Sequence, residues 1–346
     1  MSEYSPYRPG HGFIVNAEKK FIKNSERYKQ YRTQYEVWPK ERIIGEFPTH
    51  VDIEISSACN LRCPMCNTVY LDEPSFKKFK GFKENVLHPS LMTMDLYRKI
   101  IDECSQYDTF FSIKLNYRGE SALHPNLCDM IKYAKEKNVF DIMMNTNGNY
   151  DTRLNRSMVE AGLTWISFSL DAITPQTYHK VRVGGDFYVA YSNAIDMCRY
   201  ADILNVQVSF IKHKQNQEEA EDFVKFWKST AAHKIVVSDF YNPGELIKNE
   251  NAFTIKDYNP IDSFCCPQLW QRIVIFNDGR IFPCCHSFAA PEDMYLGNLA
   301  DTTVKQAWDS DKLRNIRELH ASGNYKNVAT CSKCAYPKKP IDRSEQ

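Results

Sequence analysis

Three cysteines stand close together early in the chain, at Cys59, Cys63 and Cys66 in the segment CNLRCPMC. They directly follow the apolar run 51–56, VDIEIS, which is typical of a buried strand. Cysteine thiolates hold iron–sulfur clusters, and three of them can hold three irons of a four-iron cluster. The fourth iron then lacks a protein ligand, which predicts a reactive site rather than a closed one. A zinc loop or three buried thiols is the alternative.

A second group of cysteines lies in the last quarter of the chain and comprises Cys265, Cys266, Cys284, Cys285, Cys331 and Cys334. The tripeptide Asn-Asp-Gly at 277–279 predicts a hairpin that brings the first two pairs together. The third pair has the x2 spacing of a metal-binding knuckle. Four thiolates complete the coordination of a four-iron cluster or of a tetrahedral zinc ion, and the spacing leaves both open.

The elements that must position these cysteines follow a repeated pattern. Six short apolar or β-branched runs predict strands at 51–56, 111–116, 141–146, 165–170, 206–211 and 234–240. Amphipathic helical stretches separate them, at 94–104, 126–137, 152–161, 189–201 and 218–229. Alternating strands and helices predict a parallel sheet, either a barrel or an open doubly wound sheet. In both architectures functional groups lie at the carboxyl ends of the strands.

The same pattern suggests three parts of the chain. Residues 1–48 are rich in Tyr, Lys, Arg and Glu and predict a charged helical extension, to which we assign no chemistry. Residues 49–260 form the α/β core. Residues 261–346 form a smaller domain that contains the hairpin and one helix near 304–319.

Composition limits the classes of partner. Lys and Arg total 44 and Asp and Glu total 43, so no excess of positive charge predicts binding to nucleic acid or to an anionic membrane. The first residues lack the apolar segment of a secretory signal, and no later apolar run is long enough to span a bilayer. We therefore predict a cytoplasmic protein, in which twelve cysteines indicate metal ligands rather than disulfides.

The CxxxCxxC loop after the first strand, within residues 49–240, resembles the signature of the radical SAM superfamily. The resemblance implies a partial six-stranded (β/α)6 barrel in which S-adenosylmethionine (SAM) chelates the open iron of a 4Fe-4S cluster. One electron, from a donor of the flavodoxin or ferredoxin type, then cleaves SAM to a 5′-deoxyadenosyl radical. That radical abstracts a hydrogen atom from the substrate.

The resemblance also implies contacts to SAM. The segment Tyr-Arg-Gly-Glu after the second strand looks like the family's Gly-Gly-Glu motif, so Gly119 and Glu120 would bind the SAM ammonium group. Arg118 replaces the first glycine, which puts the local backbone in doubt. Ser169 ends the fourth strand, where the family's serine meets the SAM ribose or carboxylate. Met65 stands where family members often have an aromatic residue, and it would cover the adenine.

The C-terminal cysteines resemble the SPASM/twitch domains of this family in their single-cluster form. The implied ligands of an auxiliary 4Fe-4S cluster are Cys266, Cys284, Cys331 and Cys334. Trp270 matches the family pattern after Cys266, although Cys265 is a second candidate for that ligand. The Cys265 thiol would then lie beside the cluster near the barrel mouth. There it could donate a hydrogen atom to a substrate radical, or be only a spare, packed thiol.

This resemblance implies radical chemistry on a small polar molecule of the sugar or aminocyclitol type, giving dehydrogenation or epimerisation. The preference rests partly on the shortness of the N-terminal extension, which is too small for a peptide-recognition domain. An auxiliary cluster would accept an electron in a dehydrogenase, whereas Cys265 would quench the radical in an epimerase. A peptide or protein substrate is the first alternative, and a non-catalytic metal-binding protein is the second. Arg118 and Arg182 are candidates for substrate contacts.

Overall fold

The computed structural model describes residues 11–16, 26–70, 90–240, 242, 247, 253–254, 258–289, 291–334 and 338–340. The strands are β1 His11–Asn16, β2 His50–Ile53, β3 Ser112–Lys114, β4 Asp141–Thr146, β5 Trp165–Ser169, β6 Asn205–Lys212, β7 Lys234–Asp239, β8 Tyr258–Pro260, β9 Arg272–Ile275, β10 Arg280–Phe282, β11 Gly297–Asn298 and β12 Lys338–Pro340. The helices are α1 Glu26–Glu41, α2 Asn67–Tyr70, α3 Met94–Cys104, α4 Leu127–Glu136, α5 Arg153–Ala161, α6 Pro175–Val181, α7 Phe187–Met197, α8 Ala220–Lys228, α9 Val304–Trp308, α10 Asp311–Ala321 and α11 Ala329–Ser332.

The main sheet has ten strands in the order β1-β7-β6-β5-β4-β3-β2-β9-β10-β11. Strands β2 to β7 pair in parallel, as the alternation of strands and helices predicts. They lie side by side in sequence order, which is the order of a barrel and not of a doubly wound sheet. The sheet does not close on itself, because β2 pairs with β9 on its other side and β7 pairs with β1. The prediction of a partial six-stranded α/β barrel is confirmed.

The sheet has an apolar face, which packs against the helices, and a polar face, which lines the interior of the barrel. Val51 and Ile53 on β2 are fully buried in the same hydrophobic core as Tyr97 and Ile100 on α3. This face of the sheet and the buried stripe of the helix exclude water together, which is the main stabilisation of such units. The alternate positions on β2 carry polar side chains, so the barrel interior is polar.

A buried ionic network fills the amino end of that interior. Asp52 is fully buried and lies 3.2 Å from Lys114 Nζ and 2.9 Å from Arg272 Nη1. Burial alone would raise the pKa of Asp52, but Lys114 and Arg272 hold it well below its usual value. Arg272 also donates to the Tyr35 hydroxyl at 2.9 Å, so the network attaches helix α1 to the barrel.

The N-terminal region differs from the expectation of a helical extension. Helix α1 is present, but strand β1 precedes it and pairs antiparallel with β7. An uncovered β7 would present unpaired backbone groups at the sheet edge, and β1 supplies partners for them. The sequence signal for this strand is weak because its apolar run, 13–15, is only three residues long and polar residues flank it. No described helix is both long and apolar enough to cross a bilayer.

The predicted hairpin of the C-terminal region is present as β9 and β10, with Gly279 in the turn at φ +87°. It does not stand apart, because β9 pairs in parallel with β2 and continues the main sheet. The single helix predicted near 304–319 is two helices, since the Ser310 side chain caps a new start at α10. Glu103 of α3 accepts hydrogen bonds from the first two amides of α9, at 3.0 and 2.9 Å.

Candidate active site

The three-cysteine loop follows the end of β2 and opens on a cavity of about 380 Å³. The wall is built from this loop and helix α2, from residues at or just after the carboxyl ends of β3, β4 and β5, and from one residue after α6. It consists of Ser57, Cys59, Leu61, Arg62, Cys63, Cys66, Thr68, Val69, Asn116, Arg118, Gly119, Glu120, Asn145, Thr146, Asn147, Ser169 and Arg182. The carboxyl ends of the parallel strands thus meet around the three thiols, as the topology requires.

Each thiol of the loop has a polar neighbour. Arg182 Nη1 donates to Cys63 Sγ at 3.8 Å, and Asn147 Nδ2 donates to Cys59 Sγ at 3.9 Å. Cys66 Sγ lies 3.2 Å from Thr68 Oγ1. Burial raises the pKa of Cys63 to about 11 although Arg182 opposes the shift, so binding of iron by this thiol would displace a proton. The polar neighbours then stabilise the thiolates.

The turn after β3 explains why a glycine stands at position 119. A Cβ atom at this position would lie 2.5 Å from the carbonyl oxygens of Ser56 and Ala58. The next amide, that of Glu120, donates to the Ala58 oxygen at 2.7 Å. The turn therefore packs directly on the backbone that leads into Cys59, and a side chain at 119 would push the two apart.

The Glu120 carboxylate joins two strand ends. It accepts hydrogen bonds from the Ala122 amide at 3.0 Å, the Thr146 hydroxyl at 2.9 Å and the Asn147 amide at 2.7 Å. Burial raises the pKa of Glu120 in spite of these donors. The carboxylate thus holds the turns after β3 and β4 together while it faces the cavity.

Arg118 is held by other groups of the protein. Its guanidinium forms two hydrogen bonds to the fully buried Glu54 carboxylate, at 2.6 and 2.7 Å. The same group lies 4.0 Å from the centre of the Phe276 ring and donates to the Phe288 carbonyl at 3.4 Å. The Arg118 side chain thus turns towards the C-terminal region and binds it, and these contacts do not favour the substrate contact predicted at this residue.

Arg182 is held by Asp171, which follows β5 in a left-handed conformation with φ +57°. The Asp171 carboxylate also accepts from the Ile211 amide at 2.7 Å, and its carbonyl accepts from Asn216 Nδ2 at 2.8 Å. A non-glycine residue in this conformation has a cost that its surroundings must offset. The result is a guanidinium aimed at Cys63, a role that no spacing in the sequence indicates.

The predicted SAM contacts divide into two groups. Gly119, Glu120 and Ser169 lie in the cavity wall. Met65 is buried in the hydrophobic core and does not line the cavity. Sequence reasoning missed the Thr68 hydroxyl and the Asn116 amide, and the strand-end position of Asn116 was the available signal.

The four C-terminal cysteines predicted as ligands, Cys266, Cys284, Cys331 and Cys334, line one small cavity together with Phe264, Gln268, Leu269, His286, Met294, His320, Tyr325 and Thr330. No three His, Cys, Asp or Glu side chains in the described ranges meet at the spacing of a single metal ion. Four thiols around a common cavity fit the set of thiolates that a four-iron cluster needs. Burial raises the pKa of Cys284 to about 11, so binding of a cluster by this thiol would also release a proton.

Cys265 and Cys285 do not line either cavity. The Cys265 thiol is half-buried and interacts with Arg42, which follows helix α1. The Cys285 amide donates to Gln268 Oε1 at 3.1 Å, and its carbonyl accepts from the Tyr117 hydroxyl at 3.1 Å. The structure therefore does not bring Cys265 to the barrel mouth, whereas the backbone of Cys285 contacts the strand end that leads to the SAM motif.

Two family models match the chain. The radical SAM superfamily matches residues 53–226, about half of the chain, and the SPASM iron-sulfur cluster-binding domain matches residues 265–335. The first range contains the three-cysteine loop and all the strand ends that face it. The second contains the four cysteines of the small cavity and favours iron over the zinc alternative there.

Curated relatives share part of the chain. An uncharacterised protein of Treponema pallidum is 23% identical over 69% of this chain and 70% of its own length. A probable GTP 3′,8-cyclase of Methanococcus maripaludis is 29% identical over 39% of this chain and 40% of its own length. The tungsten-containing aldehyde ferredoxin oxidoreductase cofactor-modifying protein of Pyrococcus furiosus is 24% identical over 54% and 50%. The chain thus spans half or less of the two relatives named for an activity.

Solved structures share the fold across most of the chain. BtrN in complex with AdoMet and 2-DOIA is 17% identical, with 85% of this chain and 94% of that chain covered and a TM-score of 0.55. SuiB of Streptococcus suis bound to precursor peptide SuiA is 15% identical, with 84% and 71% covered and a TM-score of 0.60. anSMEcpe with AdoMet and the Cp18Cys peptide is 16% identical, with 83% and 86% covered and a TM-score of 0.55.

Proposed function

The chain belongs to the radical SAM superfamily, and we propose that it abstracts hydrogen from a small polar molecule of the sugar or aminocyclitol type and dehydrogenates or epimerises it. When bound, the first 4Fe-4S cluster and SAM supply a 5′-deoxyadenosyl radical, and the auxiliary cluster supplies a one-electron redox centre. Cys59, Cys63 and Cys66 would hold the first cluster.

The observation that carries the proposal is the polar wall of the cavity of about 380 Å³. Side-chain amides stand near the ends of two strands there, Asn116 after β3 and Asn145 in the last two residues of β4. Asn116 is buried and its side-chain oxygen accepts from the Asn145 amide at 2.8 Å, whereas the Asn145 side chain is exposed at the end of a buried strand. An exposed amide donates to and accepts from hydroxyl or amino groups, so it suits a sugar-like substrate.

The other residues of the wall would position SAM. Gly119 and Glu120 would bind its ammonium group, and the hydrogen bonds from Thr146 and Asn147 keep the Glu120 carboxylate in place for that contact. Ser169 would bind the ribose or the carboxylate. Pre-organised groups of this kind lower the cost of bringing the reacting atoms together.

Dehydrogenation is the outcome that we favour. Epimerisation needs a hydrogen donor on the opposite face of the substrate, and Cys265, the thiol suggested for it, interacts with Arg42 and does not line the cavity. Dehydrogenation needs a one-electron acceptor instead, and the four cysteines of the small cavity would hold one. A flavodoxin- or ferredoxin-type protein would supply the electron for SAM cleavage.

A peptide substrate is the second candidate. SuiB and anSMEcpe are both named with bound peptides and share the fold of this chain. Related proteins named GTP 3′,8-cyclases widen the small-molecule class to nucleotides. BtrN, named with 2-DOIA, supports the aminocyclitol class.

The test is anaerobic turnover in deuterated water with dithionite or reduced flavodoxin, SAM, and one candidate at a time: 2-DOIA and related aminocyclitols, sugars, GTP, or peptides. We expect a sugar or aminocyclitol to stimulate 5′-deoxyadenosine formation and to lose two hydrogens. Deuterium at one substrate carbon with no mass loss would show epimerisation. Stimulation by a peptide alone would overturn the proposed substrate class.

A further inference from the structure

We propose that His320 tunes the reduction potential of the auxiliary cluster through an Nε2–H hydrogen bond to the sulfur of Cys331. The proposal rests on the auxiliary cluster of the proposed function and not on the identity of the substrate. His320 lies on α10, outside every cysteine motif, and it is not needed to complete the four-thiol ligand set.

The geometry connects His320 to two of the ligand residues. The Cys266 amide donates to His320 Nδ1 at 3.2 Å, and His320 Nε2 lies 3.3 Å from Cys331 Sγ. Because Nδ1 accepts from an amide, the ring proton belongs on Nε2. A thiolate at Cys331 requires the same assignment, since two lone pairs facing each other at this distance would repel.

The surroundings of His320 hold the ring in place and keep water out. His320 is 2% exposed and Cys331 is 9% exposed. The Tyr325 ring lies 5.9 Å from the imidazole and the Phe264 ring lies 6.5 Å from it, and the imidazole also interacts with the backbone of Phe264. In an apolar site of this kind a hydrogen bond has more electrostatic effect than it has in water.

The sign of the effect follows from charge. Reduction adds one electron to the cluster and increases the negative charge on its thiolates. A donor at Cys331 stabilises the reduced form more than the oxidised form, and therefore raises the reduction potential. A higher potential would make the site a better electron acceptor, as dehydrogenation requires.

A second donor gives a graded comparison. Ser287 is fully buried and its Oγ lies 3.7 Å from Cys284 Sγ, a longer and weaker contact. We expect its removal to change the potential in the same direction as removal of His320, but by less. Cys331 and Cys284 would thus be ligands of the same cluster, but Cys331 would accept the stronger hydrogen bond.

The experiment is an EPR-monitored redox titration of the full-length protein, with Cys59, Cys63 and Cys66 all replaced by Ala so that only the auxiliary cluster contributes. In this background His320→Leu removes the donor, and His320→Gln keeps an amide donor. We expect His320→Leu to make reduction about tenfold less favourable, a shift of about 59 mV to lower potential for one electron, and His320→Gln to shift it less. Ser287→Ala should shift it least.

His124 offers a matched control. Its Nδ1 accepts from the Asn126 amide at 3.1 Å, as His320 accepts from Cys266, but its Nε2 faces the Met92 carbonyl at 2.9 Å. His124→Leu should destabilise the fold and leave the potential unchanged. An unchanged potential in His320→Leu, or an equal shift in His124→Leu, would reject the proposal. Loss of iron from both His320 variants would also reject it, in favour of a purely structural role.

The titration contains no substrate. A shifted potential with no turnover of any sugar or aminocyclitol would therefore refute only the proposed substrate class.

Discussion

The two cysteine sites of this protein differ in what surrounds the sulfur atoms. The Cys59–Cys66 loop opens on a cavity of about 380 Å³ whose wall carries amides, hydroxyls and the Arg182 guanidinium. The four C-terminal cysteines enclose a small cavity whose wall includes Phe264, Leu269 and Met294. The first site has room and polar groups for a second molecule, whereas the second, at about 20 Å³, has no such room.

Under the proposed function, this difference would separate SAM binding from electron transfer in one chain. Three thiols at the ends of parallel strands would leave one iron open to SAM, and the sheet brings strand-end side chains to the same place. Four thiols around the small cavity would complete a cluster, and hydrogen bonds to their sulfur atoms would then help to set its potential.

The two sites are also connected. Arg118 belongs to the turn beside the first site, and its guanidinium binds Glu54 of the barrel and the Phe288 carbonyl of the C-terminal region. Tyr117, the preceding residue, donates to the Cys285 carbonyl. A change in this turn should therefore affect both regions.

The largest expected effect is at the first site. Cys63→Ala removes one of its three thiols, so 5′-deoxyadenosine formation should fall below detection. Iron should decrease from about eight to about four per chain. Both are measured after anaerobic reconstitution. Wild-type SAM cleavage by this variant would contradict the assignment of the reactive site.

At the second site, removal of one cysteine should have a different effect on SAM cleavage. Cys266→Ala removes a thiol of the small cavity, so iron should again decrease to about four per chain, but SAM cleavage without substrate should persist. Substrate oxidation should be lost. Product analysis beside the 5′-deoxyadenosine assay separates the two sites. If Cys266→Ala abolished SAM cleavage as completely as Cys63→Ala, the division of roles would be wrong.

The Arg118–Glu54 ion pair, which lies where the two regions meet, should contribute to the stability of the fold. Arg118→Met leaves the fully buried Glu54 carboxylate unpaired, which should lower the free energy of unfolding by about 3–5 kcal/mol. The double variant Arg118→Met/Glu54→Gln should recover part of the lost free energy of unfolding, because it no longer buries an unpaired charge. The surface pair Arg156–Glu160, with an N–O distance of 2.7 Å, is the matched control, and Arg156→Met should change stability little because both side chains are exposed. Urea unfolding monitors all four proteins.

A smaller, pH-dependent effect is expected in the barrel. Burial lowers the pKa of His124 below 6.5 although the Met92 carbonyl opposes the shift. The unfolded chain therefore binds a proton at this residue more readily, so stability should fall as the pH decreases below about 6.5. We expect His124→Gln to reduce the slope of unfolding free energy against pH between about pH 7 and about pH 5. An identical slope in wild type and variant would contradict this assignment.

The smallest effect is expected at Cys265. Because its thiol interacts with Arg42 and lines neither cavity, Cys265→Ala should keep the iron content, SAM cleavage and turnover of the wild type. The neighbouring Cys266→Ala is its matched control. Loss of epimerised product with intact SAM cleavage in Cys265→Ala would restore the hydrogen-donor hypothesis.

Much of the architecture and of the cysteine chemistry was predictable. Strand and helix periodicities reflect local alternation of apolar and polar residues, so all six parallel strands followed from the sequence. Periodicity left two sheet architectures open, and only the family resemblance implied the order of a partial barrel. The cysteine spacings reflect the reach of a single loop or hairpin, and the four cysteines predicted for the auxiliary cluster share one cavity. Strand β1 was not predicted, because it pairs with the edge strand β7, which lies far from β1 in the sequence.

What only the tertiary structure decided is the direction and partner of individual side chains. The sequence by itself placed Arg118, Met65, Cys265 and His320 along the chain but not in space. Folding turned Arg118 to a buried carboxylate and Met65 into the core, and it placed His320 beside Cys331. The contacts of Arg118 with Glu54 and of His320 with Cys266 join residues 64 and 54 positions apart in the sequence. The free energy of burying a charge or ordering an imidazole depends on the neighbours that the fold supplies, and not on the local pattern.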